Sequence, residues 1–194
     1  TRGRYDLMSA WPLAELAPLA DESAKDFLQR LRSALDGLGH AQPPAALELP
    51  FVGGLIGYLA YDFGRRLEHL AQGSQDDLNL PDASFGLYAW ALVSDHHLGT
   101  SQLVFHPRLP AEERQRLQAL FEHASEAAPS PFRLHAPFRA DLQPSEYQAA
   151  IERIQAYILA GDCYQVNYTQ RFQTTCEGNP WGAYRALRQA CPTP

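Results

Sequence analysis

One stretch, Gln143 to Phe172 (QPSEYQAAIERIQAYILAGDCYQVNYTQRF), constrains the fold most, because its hydrophobic period changes part-way along. Pro144 suits a first helical position, where its missing N–H would have no partner in any case, and Glu146 can reach back toward the helix start. Tyr147, Ile151, Ile154 and Ile158 recur at three-to-four spacing and share one face, while Glu152, Arg153 and Gln155 lie elsewhere. Gly161 follows the last periodic residue, where a left-handed cap is unstrained. From Tyr164 the period is two, with Tyr164, Val166, Tyr168 and Phe172 on one side and Gln165, Asn167, Thr169 and Arg171 on the other. Helix, sharp stop and a strand through Thr174 are predicted, with the apolar sides of both elements in a core. The polar strand face fits a solvated sheet surface, or a pocket of uncharged hydrogen-bonding groups around one arginine. The pattern accommodates both.

With 194 residues, 45% of them hydrophobic, the chain can bury a sizeable core. Its net charge of −6 and scattered arginines argue against a polyanion-binding surface, and so against nucleic acid as a partner. No apolar run reaches the roughly 20 residues that span a bilayer. No apolar segment follows Thr1-Arg2-Gly3-Arg4, so no signal peptide is predicted and the expected compartment is the cytoplasm. Cys163, Cys176 and Cys191 are an odd number at wide spacing, which predicts free thiols. The His96-His97 pair and the other histidines lack metal-ligand spacing, so no metal site is assigned within the chain.

In chain order, Ser23 and Asp26 mark a helix start, followed by the stripe Phe27, Leu28, Leu31, Leu35 and Leu38 and by Gly37 and Gly39. His40 to Pro50 carries Pro43, Pro44 and Pro50 and reads as a connector. Phe51 to Asp62 is apolar with glycines at 53, 54 and 57; phosphate-loop spacings are absent, so these predict a strand with close backbone packing. A short helix from Phe63 to Leu70 and a polar loop from Ala71 to Asp82 follow. Phe85 to His106 reads as a hairpin of two strands with a solvated tip from His96 to Ser101. Pro110 to Ala124 is predicted helical, burying Leu117, Leu120 and Phe121. The proline-rich segment Ala127 to Pro137 reads as a linker, placing a boundary near Arg139. Asn179 and Pro180 open a last helix with the stripe Trp181, Tyr184, Leu187 and Cys191. Together these elements predict an α+β fold of mostly antiparallel sheets with helices packed outside. The domains are expected at 1–138 and 139–194. The start without methionine and the end just after a helix predict a piece of a longer chain.

No serine, histidine and carboxylate set occurs at a motif spacing, and the one lysine, Lys25, falls on the exposed side of its helix, so no catalytic residue is assigned.

Tyr157, Ile158, Ala160, Gly161, Asp162, Tyr164, Gln165, Val166, Asn167, Thr169, Gln170, Arg171 and Phe172 together resemble the chorismate-utilising enzymes. Gly53 to Arg66 (GGLIGYLAYDFGRR) and Asn179 to Pro194 extend the resemblance over nearly the whole chain. Asn167 favours the branch that forms aminodeoxychorismate over the branch that forms anthranilate. The resemblance implies magnesium and acid, base and nucleophile residues in a larger C-terminal region beyond Pro194, so this chain alone is expected to turn over no chorismate. It also implies a glutamine amidotransferase subunit whose ammonia replaces the chorismate 4-hydroxyl, on the route to para-aminobenzoate and folate. Finally, it implies a tryptophan pocket drawn from Arg4, Tyr5 and Asp6, an upstream segment, Asn167, and Pro192, Thr193 and Pro194. An ordinary Arg4–Asp6 surface ion pair competes with that assignment. A stand-alone module that holds an aromatic amino acid and contacts the amidotransferase is the contrasting expectation.

Overall fold

The computed structural model describes residues 3–43, 49–68, 76–123 and 131–192. Parts of the predicted connector, polar loop and linker, together with Thr193 and Pro194, lie outside them. The chain forms two compact units, residues 1–125 and 126–194.

The first unit holds two antiparallel three-stranded sheets, as the α+β expectation requires. Strands β2 (Ala14–Leu16), β4 (Ala83–Tyr88) and β3 (Gly54–Leu59) make one, with β4 central. Strands β1 (Tyr5–Met8), β5 (Trp90–Asp95) and β6 (Thr100–Phe105) make the other, with β5 central. Helix α1 (Ala24–Leu38) begins where the Ser23 hydroxyl accepts the Asp26 N–H at 3.1 Å, and ends at Gly39, whose φ of 79° suits a residue without a side chain. Gly37 lies inside it. Its stripe packs Phe27, fully buried at 0% exposure, against Phe63 and Phe85 at ring separations of 5.8 and 6.3 Å. Phe63 sits on a short 3₁₀ turn, Tyr61–Arg66, where the start of a helix was predicted; the end of that predicted helix, 69–70, lies outside the described residues.

The predicted two-strand hairpin is corrected to three strands. β5 and β6 form a hairpin, but the first predicted strand divides at Ala89 between the two sheets. There the Ala89 carbonyl accepts the His106 N–H at 2.8 Å, and Trp90 begins a new ladder opposite Phe105. Both halves are largely buried, so the apolar run continues across the break and periodicity carries no trace of it. Close packing at Gly57 is observed: a Cβ there would stand 2.1 Å from the Ser84 carbonyl oxygen on β4. Helix α2 (Ala111–Glu122) buries Leu117 as predicted, whereas Leu120 and Phe121 are exposed, because the helix sinks a narrow stripe into the core.

Arginines fix the loop before α1. Arg30 forks onto Glu22 at 2.9 and 2.7 Å, and Arg66 donates to the carbonyls of Leu19 and Glu22 while pairing with Asp82. The Arg30 fork, helped by the Leu19 N–H, holds the Glu22 carboxyl down at about 2.

In the second unit, helix α3 (Pro144–Ala160) begins as predicted, the Glu146 carboxylate accepting the Gln143 N–H at 2.8 Å. It ends at Gly161 with φ 81° and ψ 11°, the left-handed cap read from the sequence, with the Asp162 N–H donating to the Tyr157 carbonyl at 3.0 Å. The strand predicted from Tyr164 to Thr174 is corrected. Only Phe172–Gln173 (β9) and Cys176–Gly178 (β10) are extended in ladders, pairing with Arg139–Ala140 (β8) and Phe132–Leu134 (β7). Residues 164–170 have no ladder partner among the described residues, and a strand is defined by its neighbour's hydrogen bonds. Its apolar side is accordingly outside a core: Tyr164 is 98% exposed. Helix α4 (Pro180–Ala190) is capped by Asn179, whose side-chain oxygen accepts the Trp181 N–H at 2.9 Å. Its stripe of Trp181, Tyr184, Leu187 and Cys191 is exposed rather than buried, with Trp181 and Tyr184 stacked on each other at 5.1 Å.

Candidate functional site

In the first unit Arg4 directly precedes β1 and Tyr5 and Asp6 open it, its register setting Tyr5 opposite Asp95 and Asp6 opposite Ser94. Alternation along β1 sends their side chains to opposite faces. Tyr5 packs against the buried cluster of Ala91, Val93 and Val104, and the Arg4 guanidinium lies 4.7 Å over its ring. Arg4 also donates to one Asp95 oxygen from Nε and Nη2, at 3.1 and 2.9 Å. The other Asp95 oxygen accepts the His97 and Leu98 N–H groups at 2.8 and 3.2 Å, closing the β5–β6 turn. The Arg4 hydrogen bond holds the Asp95 carboxyl below the usual carboxylate range against the opposing effect of burial, and the turn N–H groups add to it. Asp6 meets a different partner: its carboxylate lies 2.9 Å from His96 Nε2, both side chains being exposed. Two pairs, Arg4–Asp95 and Asp6–His96, thus tie these residues to the β5 end and the turn after it.

In the second unit, Asn167 Oδ1 accepts from Gln165 Nε2 at 3.3 Å, and Pro192 is exposed at the end of α4. Arg171 approaches Asp141 at 3.4 Å, and Gln173 donates to the same carboxylate at 2.6 Å. Sequence reasoning missed three residues here. Asp95 and His96 become visible only through the β1–β5 register. Gln170, which shares parity with the apolar side, buries a side-chain oxygen that has no hydrogen-bond partner among the described residues. Its place in the TQRF run was the available signal.

Among the described residues no three histidine, cysteine or acidic side chains converge as a metal-holding group. The three cysteines are free, and among the described residues no helix is long and apolar enough to cross a membrane.

The family of chorismate binding enzymes matches residues 4–194. The chain belongs to that family. Aminodeoxychorismate synthase component 1 of Salmonella typhimurium is 35% identical over 205 residues, covering 98% of this chain and 43% of that relative. Anthranilate synthase component 1 of Thermus thermophilus is 36% identical over 149 residues, covering 75% of this chain and 32% of that relative. The crystal structure of anthranilate synthase component I from Streptococcus pneumoniae superposes with a TM-score of 0.69 at 26% identity, covering all of this chain and 47% of that one. The chain thus spans less than half the length of these relatives.

Proposed function

We propose that this chain is the N-terminal part of an aminodeoxychorismate synthase component I. The whole enzyme takes ammonia from a glutamine amidotransferase subunit, forms a C–N bond at C4 of chorismate, releases the 4-hydroxyl as water, and so supplies para-aminobenzoate and folate synthesis. The reading is carried by the 35% identity to aminodeoxychorismate synthase component 1 of Salmonella typhimurium across 98% of the chain. The anthranilate-forming reading draws on the solved anthranilate synthase component I, with its TM-score of 0.69. Incubating the full-length protein with chorismate, ammonia and magnesium, and identifying the product, separates the two. We expect 4-amino-4-deoxychorismate; anthranilate as the main product overturns the assignment.

The described residues act in ligand binding rather than in the chemical step. Asp6, on the face of β1 away from Tyr5, accepts the ammonium of tryptophan, and Arg4 or a backbone N–H holds its carboxylate. Arg4 stands on Asp95 and Asp6 on His96, so binding exchanges these pairs for ligand contacts. Calorimetric titration of tryptophan into the full-length protein and into Asp6→Ala tests this. Equal heats in both remove Asp6 from the pocket, and absent heat in both removes the pocket.

A further inference from the structure

A cleft in the first unit is used by none of this chemistry. It has a volume of about 330 Å³ and is lined by Trp11 and by Glu113, Arg116, Leu117, Ala119 and Leu120 of α2. Trp11 has a φ of 52°, in the left-handed region that a bulky aromatic residue avoids. Its neighbours hold it there: Ser9 Oγ donates to the Trp90 carbonyl at 2.7 Å, Trp90 Nε1 to the Ala10 carbonyl at 2.9 Å, and the Leu13 N–H to the Leu87 carbonyl at 2.7 Å. Backbone strain of this kind persists where surrounding contacts over-determine it, and it collects at ligand-binding positions. Its result here is an indole stacked on Trp90 at 6.3 Å and 29°, yet 61% exposed.

We propose that this cleft binds a planar aromatic carboxylate. Once the Arg116 guanidinium swings off its face, the exposed indole offers a flat stacking partner, and Leu117, Ala119 and Leu120 continue it as an apolar wall. The Arg116 guanidinium lies over the Trp11 ring, 5.8 Å from its centre, and lines the same cleft. Its partner Glu113 is 3.6 Å away and both side chains are solvated, so the fork is free to turn onto a ligand carboxylate. Glu113 also sets the charge of the ligand: a monoanion gains Arg116 at modest repulsion, whereas a dianionic phosphate meets the neighbouring carboxylate. The volume is at the lower end of small-molecule sites, which begin at about 300 Å³, and about 150 Å³ already holds benzene. One ring with its carboxylate, or a fused pair, fits.

Benzoate titrated calorimetrically into the full-length protein at low ionic strength tests the inference. Saturable binding is expected, with cyclohexanecarboxylate, benzyl alcohol and phenyl phosphate each at least tenfold weaker. Arg116→Gln removes the fork at an exposed position, and Trp11→Gly removes the ring while tolerating the left-handed backbone. Each is expected to weaken benzoate at least tenfold with little change in melting temperature, and Asp6→Ala to bind it as the parent does. Absent saturation, equal affinity for cyclohexanecarboxylate, or unchanged affinity in a folded Arg116→Gln or Trp11→Gly protein overturns the proposal. If Trp11→Gly does not fold, Arg116→Gln decides alone.

Discussion

Adding one methyl group at Gly57 and one at Gly37 has opposite expected signs. At Gly57 the new Cβ would lie 2.1 Å from the Ser84 carbonyl oxygen and 2.6 Å from the Phe85 Cα, both backbone atoms of β4. Ordinary non-bonded contact is near 3.5 Å, so β3 and β4 must part by roughly 1.4 Å at this point. That displacement takes N–H···O bonds beyond about 3.2 Å, along a ladder running from the Gly54–Tyr88 pair to the Leu59–Ala83 pair. Overpacking costs about 1–3 kcal/mol, and each weakened ladder bond adds up to about 1 kcal/mol, so the upper end, about 3 kcal/mol, is expected. At Gly37, inside α1, a Cβ meets nothing within 4 Å. There the methyl removes freedom from the unfolded chain and gains about 0.4–1 kcal/mol. At about 2–4 °C per kcal/mol for a chain of this size, Gly57→Ala should melt about 6–12 °C lower and Gly37→Ala about 1–4 °C higher. Circular dichroism melts at matched concentration measure both. A Gly57→Ala protein melting within about 1 °C of the parent, or a shared sign for the two variants, refutes the steric reasoning.

Glu22, held at about 2 against an ordinary 4.5, leaves the folded state unprotonated where the unfolded chain takes up a proton. Its contribution is complete above about pH 4.5 and is lost as pH falls toward 2, so urea midpoints of Glu22→Gln should fall less steeply than those of the parent across that window. His106 is 3% exposed, with Nδ1 accepting the Arg108 N–H at 3.2 Å and Nε2 at 3.3 Å from the Gly39 carbonyl. His106→Leu strands both groups and should cost about 1–3 kcal/mol in denaturant unfolding. Asn179→Ala removes the α4 cap and should cost about 1 kcal/mol, read as faster amide exchange confined to Pro180–Ala190.

Helix ends were legible because they are written in single residues: Ser23 with Asp26, Glu146, Gly161 and Asn179 each do in space what their chemistry indicates. Strand partners were not, since a ladder bond belongs to two distant segments. The Tyr164–Phe172 alternation is real in the sequence yet has no ladder before Phe172, and the run through Ala89 hides a change of sheet. The candidate site divides the same way. Arg4, Tyr5 and Asp6 are singled out by their own motif, whereas Asp95 and His96, which pair with Arg4 and Asp6, enter only through the register of β1 on β5.

That change of sheet makes Ala83–Asp95 a single tie rod through the first unit. β4 is the middle strand of one sheet, β5 the middle strand of the other, and one buried residue, Ala89, joins them. Freeing either central strand pulls on the other through one short, buried backbone link. Amides on both strands should therefore exchange by one shared opening at the highest free energy in the unit. The Arg4–Asp95 latch, attached to the far end of that rod, is thereby anchored in the sheet that lacks β1 as firmly as in its own.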